Sequence, residues 1–159
     1  MIVYHGTTME IQKPDIKHSK AHLDFGRGFY TTTFPKQAER WAFRKGLRLS
    51  KPAVVNVYEI GDMSKYRVKR FGDTDMEWLQ FIVACRNGKD IYQDYDTVIG
   101  NVADDDVFKC VNMFMDGIWD EERTLDELRY FWKNDQIAFL TQDVIDAVVK
   151  FKESYEVSR

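Results

Sequence analysis

Between Asp24 and Thr33 the chain reads Asp-Phe-Gly-Arg-Gly-Phe-Tyr-Thr-Thr-Thr, a run that dictates its local backbone more firmly than any other stretch. Gly26 and Gly28 permit a tight turn or a close backbone approach, whereas Phe29, Tyr30 and the threonines favour an extended strand. The stretch therefore predicts a flexible lip feeding a stiff strand. Val3-Tyr4-His5-Gly6-Thr7 carries the same design on a smaller scale, a short apolar strand closing on a histidine and a glycine. Two strand ends of this kind suit the lining of one cleft. Each has a plainer reading when taken singly. His-Gly-Thr at a strand end is more often a turn than a catalytic site, and Gly-x-Gly-Phe-Tyr more often a hairpin corner with core aromatics. The spacing also differs from the dinucleotide-binding Gly-x-Gly-x-x-Gly, which opens a helix.

The remaining pattern alternates strands with helices. A polar connection from Thr7 to His22, with Pro14, Lys17 and Lys20, is placed either to cover a ligand or to run over plain surface. Pro35 opens a helix with Ala38, Trp41, Ala42 and Leu49 near one face, ending before Pro52. Ala53–Ile60 reads as a strand. Thr74 with Glu77 has capping-box spacing ahead of Trp78, Leu79, Ile82 and Val83, and Thr124 with Glu127 repeats it ahead of Leu128, Phe131 and Trp132. Tyr95–Gly100 is a further strand. The acidic run Asp104-Asp105-Asp106 then leads into a helix with Val107, Cys110, Val111 and Phe114 on one face, and the macrodipole accounts for at least two of those carboxylates. Gln136–Leu140 reads as a strand, Gln142–Val149 as a helix and Phe151–Val157 as a closing strand. The connections vary in length and lack regular βαβ spacing. The expected class is α+β, a single domain with antiparallel or mixed sheets flanked by helices.

Composition narrows the function classes. A chain of 159 residues with 44% hydrophobic and 14% aromatic content can bury a core. A net charge of -3 with scattered basic residues argues against a nucleic-acid backbone binder, and Lys36, Arg40, Arg44, Lys45 and Arg48 read as a solvated helix face. Cys85 and Cys110 form no zinc spacing or disulfide framework, and no carboxylate or histidine cluster completes a metal site. No window reaches the roughly 18 apolar residues of a membrane span, and no signal segment is evident; the expectation is a cytoplasmic protein.

Three motifs in order, Tyr4-His5-Gly6-Thr7, Gly28-Phe29-Tyr30-Thr31-Thr32 and Asn134-Asp135-Gln136-Ile137-Ala138-Phe139, resemble the ADP-ribosyltransferase superfamily. The likeness is to its His-Tyr-Glu branch, which includes diphtheria-type toxins and the poly-ADP-ribose polymerases. The chain is similar to a family of short bacterial proteins in that clan. They share the Leu23–Tyr30 segment, the Val54-Val55-Asn56-Val57-Tyr58 strand and the segment from Tyr95 to Asp105.

The resemblance implies split antiparallel sheets gripping NAD, used as a substrate without a metal. It implies His5 bonding a ribose hydroxyl and the Gly6 backbone holding the nicotinamide carboxamide, with Tyr30 stacked on the ring. Thr7, Gly28, Phe29 and Thr31 would line the same site. Active transferases place a glutamate at the third position, where this chain has Gln136; Asp135 is the rival by a shift of one. A neutral amide bonds a hydroxyl but supplies no full charge against an oxocarbenium-like transition state. Asp104 and Asp105 are a further source of a carboxylate. The expected activity is ADP-ribosyl transfer from NAD to a macromolecular acceptor, as a bacterial toxin–antitoxin or defence component with a cognate antitoxin. Two alternatives are a non-catalytic module that binds NAD, ADP-ribose or a protein, and an NAD glycohydrolase with water as acceptor. The Arg-His-x-Arg constellation of RNA 2′-phosphotransferases is missing.

Overall fold

A computed structural model describes residues 1–21, 23–103, 105–129 and 134–158. His22, Asp104, Phe131 and Trp132 lie outside the described residues, so the expectations placed on them have no structural counterpart. The described elements are β1 (Ile2–Thr7), β2 (Phe29–Thr31), α1 (Pro35–Leu49), β3 (Val54–Ile60), β4 (Val68–Arg70), α2 (Met76–Arg86), a 3₁₀ turn (Ile91–Asp94), β5 (Thr97–Asn101), α3 (Asp105–Met115), α4 (Glu121–Leu128), β6 (Asp135–Phe139), α5 (Gln142–Val148) and β7 (Val149–Glu156). The class is α+β. One sheet is antiparallel, in the order β1-β3-β7; the other is mixed, in the order β2-β6-β5-β4, with β4 parallel to β5.

Among the described residues a single antiparallel bridge, between Tyr4 and Thr32, joins the two sheets edge to edge. Its paired hydrogen bonds, Tyr4 N to Thr32 O at 2.8 Å and Thr32 N to Tyr4 O at 3.0 Å, bring the ends of the two motif strands together. Among the described residues three cores surround this junction. Phe25, Trp78, Leu79, Ile82, Val98 and Val111 fill the space between the mixed sheet and α2, α3 and α4. Val3, Phe29, Tyr58, Ile137, Phe139 and Val144 pack between the sheets and α5. Ala38, Ala42, Ala53 and Val55 form a thin layer under α1.

The α1 layer is thin because small residues make it. Ala38, Ala42 and Gly46, at i, i+4 and i+8, are the buried stripe, and they let the helix backbone lie on β1. A Cβ on Gly6 would stand 2.0 Å from the Ala38 carbonyl oxygen, so glycine is required there. Leu49, expected on the buried face, is 45% exposed.

Helix starts differ from the capping-box expectation. Asp75, not Thr74, caps α2 by accepting from Trp78 N at 3.0 Å, and Glu77 pairs with Lys69 instead of reaching back. Asp120 caps α4 by accepting from Arg123 N at 2.8 Å, which leaves Thr124 buried inside the helix. In both cases the aspartate immediately before the helix wins the cap, as its charge suits the positive end of the helix dipole. Strand β4 has one apolar residue in three and no readable alternation. It exists because Phe71 N donates to Ile99 O, and because Asp96 accepts from the backbone and guanidinium of Arg67. No helix among the described residues is long and apolar enough to cross a membrane.

Candidate functional site

Pleat alternation decides which side chains share a face. In the β2–β6 pair Tyr30 lies opposite Ala138 and Thr31 opposite Ile137. Tyr30 and Gln136 therefore share the face toward α2 and α3, whereas Phe29, Thr31, Asp135 and Ile137 belong to the other. The two rivals for the third position point apart, and their partners say what each does. Asp135 accepts from Thr32 Oγ1 and Thr33 N, both at 2.8 Å, and from Thr33 Oγ1 at 2.5 Å. Its backbone oxygen accepts from Gln37 Nε2 at 2.9 Å. Asp135 thus ties β6 to the entry of α1.

Gln136 is 4% exposed and reaches the helical side. Its Nε2 donates to Asp24 Oδ2 at 3.2 Å and to the Asn101 carbonyl oxygen at 3.4 Å. Both partners are pure acceptors, which sets the orientation of the amide and leaves Oε1 as its acceptor atom. Asn101 O also accepts from Trp78 Nε1 at 3.1 Å. Asp24 is held in turn by Arg86, whose Nη2 stands 2.6 Å from Oδ1. The Arg86 guanidinium lies 3.8 Å over the Phe108 ring. This Asp24–Arg86 pair is the part of the site that motif reading missed. Its only signal in the sequence is the aspartate opening the Asp24–Tyr30 run.

Tyr30 presents a partly buried ring whose hydroxyl is already engaged. The hydroxyl donates to Gly26 O at 2.5 Å and accepts from Phe25 N at 2.9 Å. Burial, followed by the charge of Asp24, pushes the phenol well above its usual range, so it stays neutral. The ring is a fixed platform. Gly26 makes the anchoring turn possible: its φ of 85° is left-handed, and the Tyr92 ring would lie 2.3 Å from any Cβ there.

His5 arrives from the other sheet. Its Nδ1 lies 2.7 Å from the backbone oxygen of Tyr30, and its ring packs on Phe29 with centroids 4.5 Å apart. A carbonyl oxygen only accepts, so Nδ1 carries the proton and Nε2 is left as an acceptor. Burial lowers the imidazole pKa to about 4, which keeps the ring neutral near pH 7. His5 therefore meets Tyr30 through the backbone at the junction of the sheets, while the phenol and Gln136 face the helices.

The other motif residues have structural partners. Thr31 is fully buried, with its hydroxyl donating to Ile137 O at 3.1 Å. Thr7 is buried and accepts from Lys45 Nζ at 3.1 Å. Phe29 is a core residue of the inter-sheet layer. Gly28 N donates to Ser19 Oγ at 2.9 Å, and a Cβ there would stand 2.8 Å from Phe139 O. Asp105 begins α3.

The connection after β1 is a pinned strap. Asn56 accepts from Ile11 N and donates to Met9 O, at 2.8 and 2.9 Å, and Tyr58 donates its hydroxyl to Ile11 O at 2.6 Å. Gln142 holds Ile16 N and Pro14 O. A cavity of about 620 Å³ lies elsewhere, beside the end of α1, lined by Leu47, Pro52, Glu156 and Val157 among others. Among the described residues no group of three or more His, Cys, Asp or Glu side chains is arranged to hold a metal ion.

Residues 1–151 match the family described as "Protein of unknown function (DUF3990)". The chain belongs to that family. The match takes in β1, β2 and β6, and so every residue of the junction just described. No curated protein matches the chain.

Proposed function

We propose that this protein binds NAD at the junction of its two sheets and transfers ADP-ribose from it to a macromolecular acceptor. The observation that carries the reading is the tie between His5 and Tyr30 across the sheets, with Gln136 on the same face as the Tyr30 ring. These three residues are those on which the resemblance to ADP-ribosyltransferases rests, and they come from three distant parts of the chain.

The chemistry follows from the groups available. Tyr30, fixed through its hydroxyl, offers an aromatic face to the flat cationic nicotinamide ring. Neutral His5 offers Nε2 as an acceptor for a ribose hydroxyl, and Gln136 Oε1 does the same near the glycosidic carbon. The carbon–nitrogen bond then breaks with its electron pair leaving on nicotinamide. The electron-poor ribose carbon is captured by a nucleophile of the acceptor, which loses its proton to solvent.

The neutral side chain at position 136 favours a second reading, a module that holds NAD or ADP-ribose without turnover. One experiment separates them. The purified protein is incubated with NAD labelled in the adenosine half, with and without lysate, while nicotinamide release is followed. Transfer predicts label on macromolecules and stoichiometric nicotinamide, both lost in Tyr30→Ala and reduced in His5→Ala. Binding by calorimetry with no nicotinamide from any lysate would leave the binding module, and no binding at all would overturn both.

A further inference from the structure

Asp24 sits in the turn before β2 with 15% of its side chain exposed, and its partner Arg86, at the end of α2, is 9% exposed. Both guanidinium contacts, Nε at 2.9 Å and Nη2 at 2.6 Å, fall on the same oxygen, Oδ1. The second oxygen is left to Gln136 Nε2. One side of the carboxylate is thus neutralised by a cation and the other is turned toward the residue at the glutamate position. The charge is felt nearby: after burial, Asp24 is the next cause raising both the Tyr30 phenol and the Cys85 thiol.

Resting on the reading of this junction as an NAD slot, we propose that Asp24 supplies the site's negative charge and acts through Gln136 as a positioning residue. A carboxylate accepting from an amide NH₂ draws electron density onto the amide oxygen, so Oε1 becomes a stronger acceptor for the ribose hydroxyl. Its effect grows as the ribose becomes electron-poor, and no proton moves and no bond forms on Asp24 or Gln136. The arrangement also explains why position 136 is neutral. A glutamate there would place a second carboxylate within hydrogen-bond reach of Asp24, and two such groups cannot both ionise cheaply.

The test compares the wild type with Asp24→Asn, Gln136→Glu, Gln136→Met and the double variant Asp24→Asn/Gln136→Glu. Nicotinamide release gives kcat and KM, and urea unfolding at about pH 8 and about pH 5 gives stability. Each single variant is expected to lose about tenfold to hundredfold in kcat with KM little changed. The double variant, which moves the charge from residue 24 to residue 136, recovers most of the loss. Gln136→Glu is further expected to unfold at lower urea at the higher pH, with the deficit shrinking at the lower pH and disappearing in the double variant. Gln136→Met keeps the Asp24–Arg86 pair, so it reads the link without stripping Arg86 of its partner. Higher turnover in Gln136→Glu, unchanged kcat in Gln136→Met, or losses that multiply in the double variant would overturn the proposal. A wild type that binds no NAD overturns the slot reading itself and the positioning role of Asp24 with it. That failure is distinguishable, because the urea cycle reports the Asp24–136 coupling without NAD.

Discussion

The imidazole of His5 donates its Nδ1 proton to the backbone oxygen of Tyr30 at 2.7 Å, so a side chain of one sheet ties down the motif strand of the other. Beside the Tyr4–Thr32 bridge, this contact sets how the two sheets meet.

A pH dependence follows from that contact. Burial lowers the His5 pKa from 6.5 to about 4, opposed by the Tyr30 hydrogen bond and aided slightly by Lys45. In the unfolded chain the same ring takes up its proton near the ordinary value. Between those two values the unfolded state binds more protons, so stability is full above about pH 6.5 and falls as pH drops toward about 4. The loss amounts to up to about 3 kcal/mol. Urea titrations of the wild type and His5→Asn across this range check it: the wild type should weaken by that much more than the variant, and parallel curves would refute it.

Asp135 is expected to matter for folding and little for chemistry. Its carboxylate accepts three hydrogen bonds from Thr32 and Thr33, and removing a charged acceptor from such a set costs about 2–3 kcal/mol. Asp135→Ala should therefore lower the urea midpoint while leaving NAD affinity of the folded fraction near the wild-type value. Loss of NAD affinity at full stability would assign Asp135 to the ligand.

Gly6 tests the packing of α1. A methyl group there meets Ala38 O at 2.0 Å and Ala42 N at 2.7 Å, both backbone atoms that cannot step aside. Gly6→Ala should cost about 3 kcal/mol or more by overpacking. Thermal and urea unfolding measure it directly. A variant as stable as the wild type would mean that α1 slides outward at little cost.

Much of the architecture was legible because it rests on local rules. Alternation and β-branched content mark β3 and β6 to within a residue or two, Pro35 marks the start of α1, and irregular connections mark the α+β class. The misses have local causes too. Thr74 and Thr124 are plausible caps, and only the backbone shows that Asp75 and Asp120 take the role. Strand β4 carries no pattern of its own and is recruited by β5 and Asp96.

What the residue order alone determined is most of the strands and helices, β4 excepted, and the pairing of a glycine-rich turn with an aromatic strand, since backbone sterics and side-chain periodicity act over a few residues. It also required Asp135 and Gln136 to point apart, since neighbours in a strand always do. Tertiary structure decided which of them faces the helices, and it brought Arg86 to Asp24 across 62 positions and Gln136 to Asp24 across 112. Those choices depend on how two sheets register at one bridge and on which charges are buried together. Such long-range contacts leave no period in the sequence, because their energy comes from desolvation and pairing in the folded core.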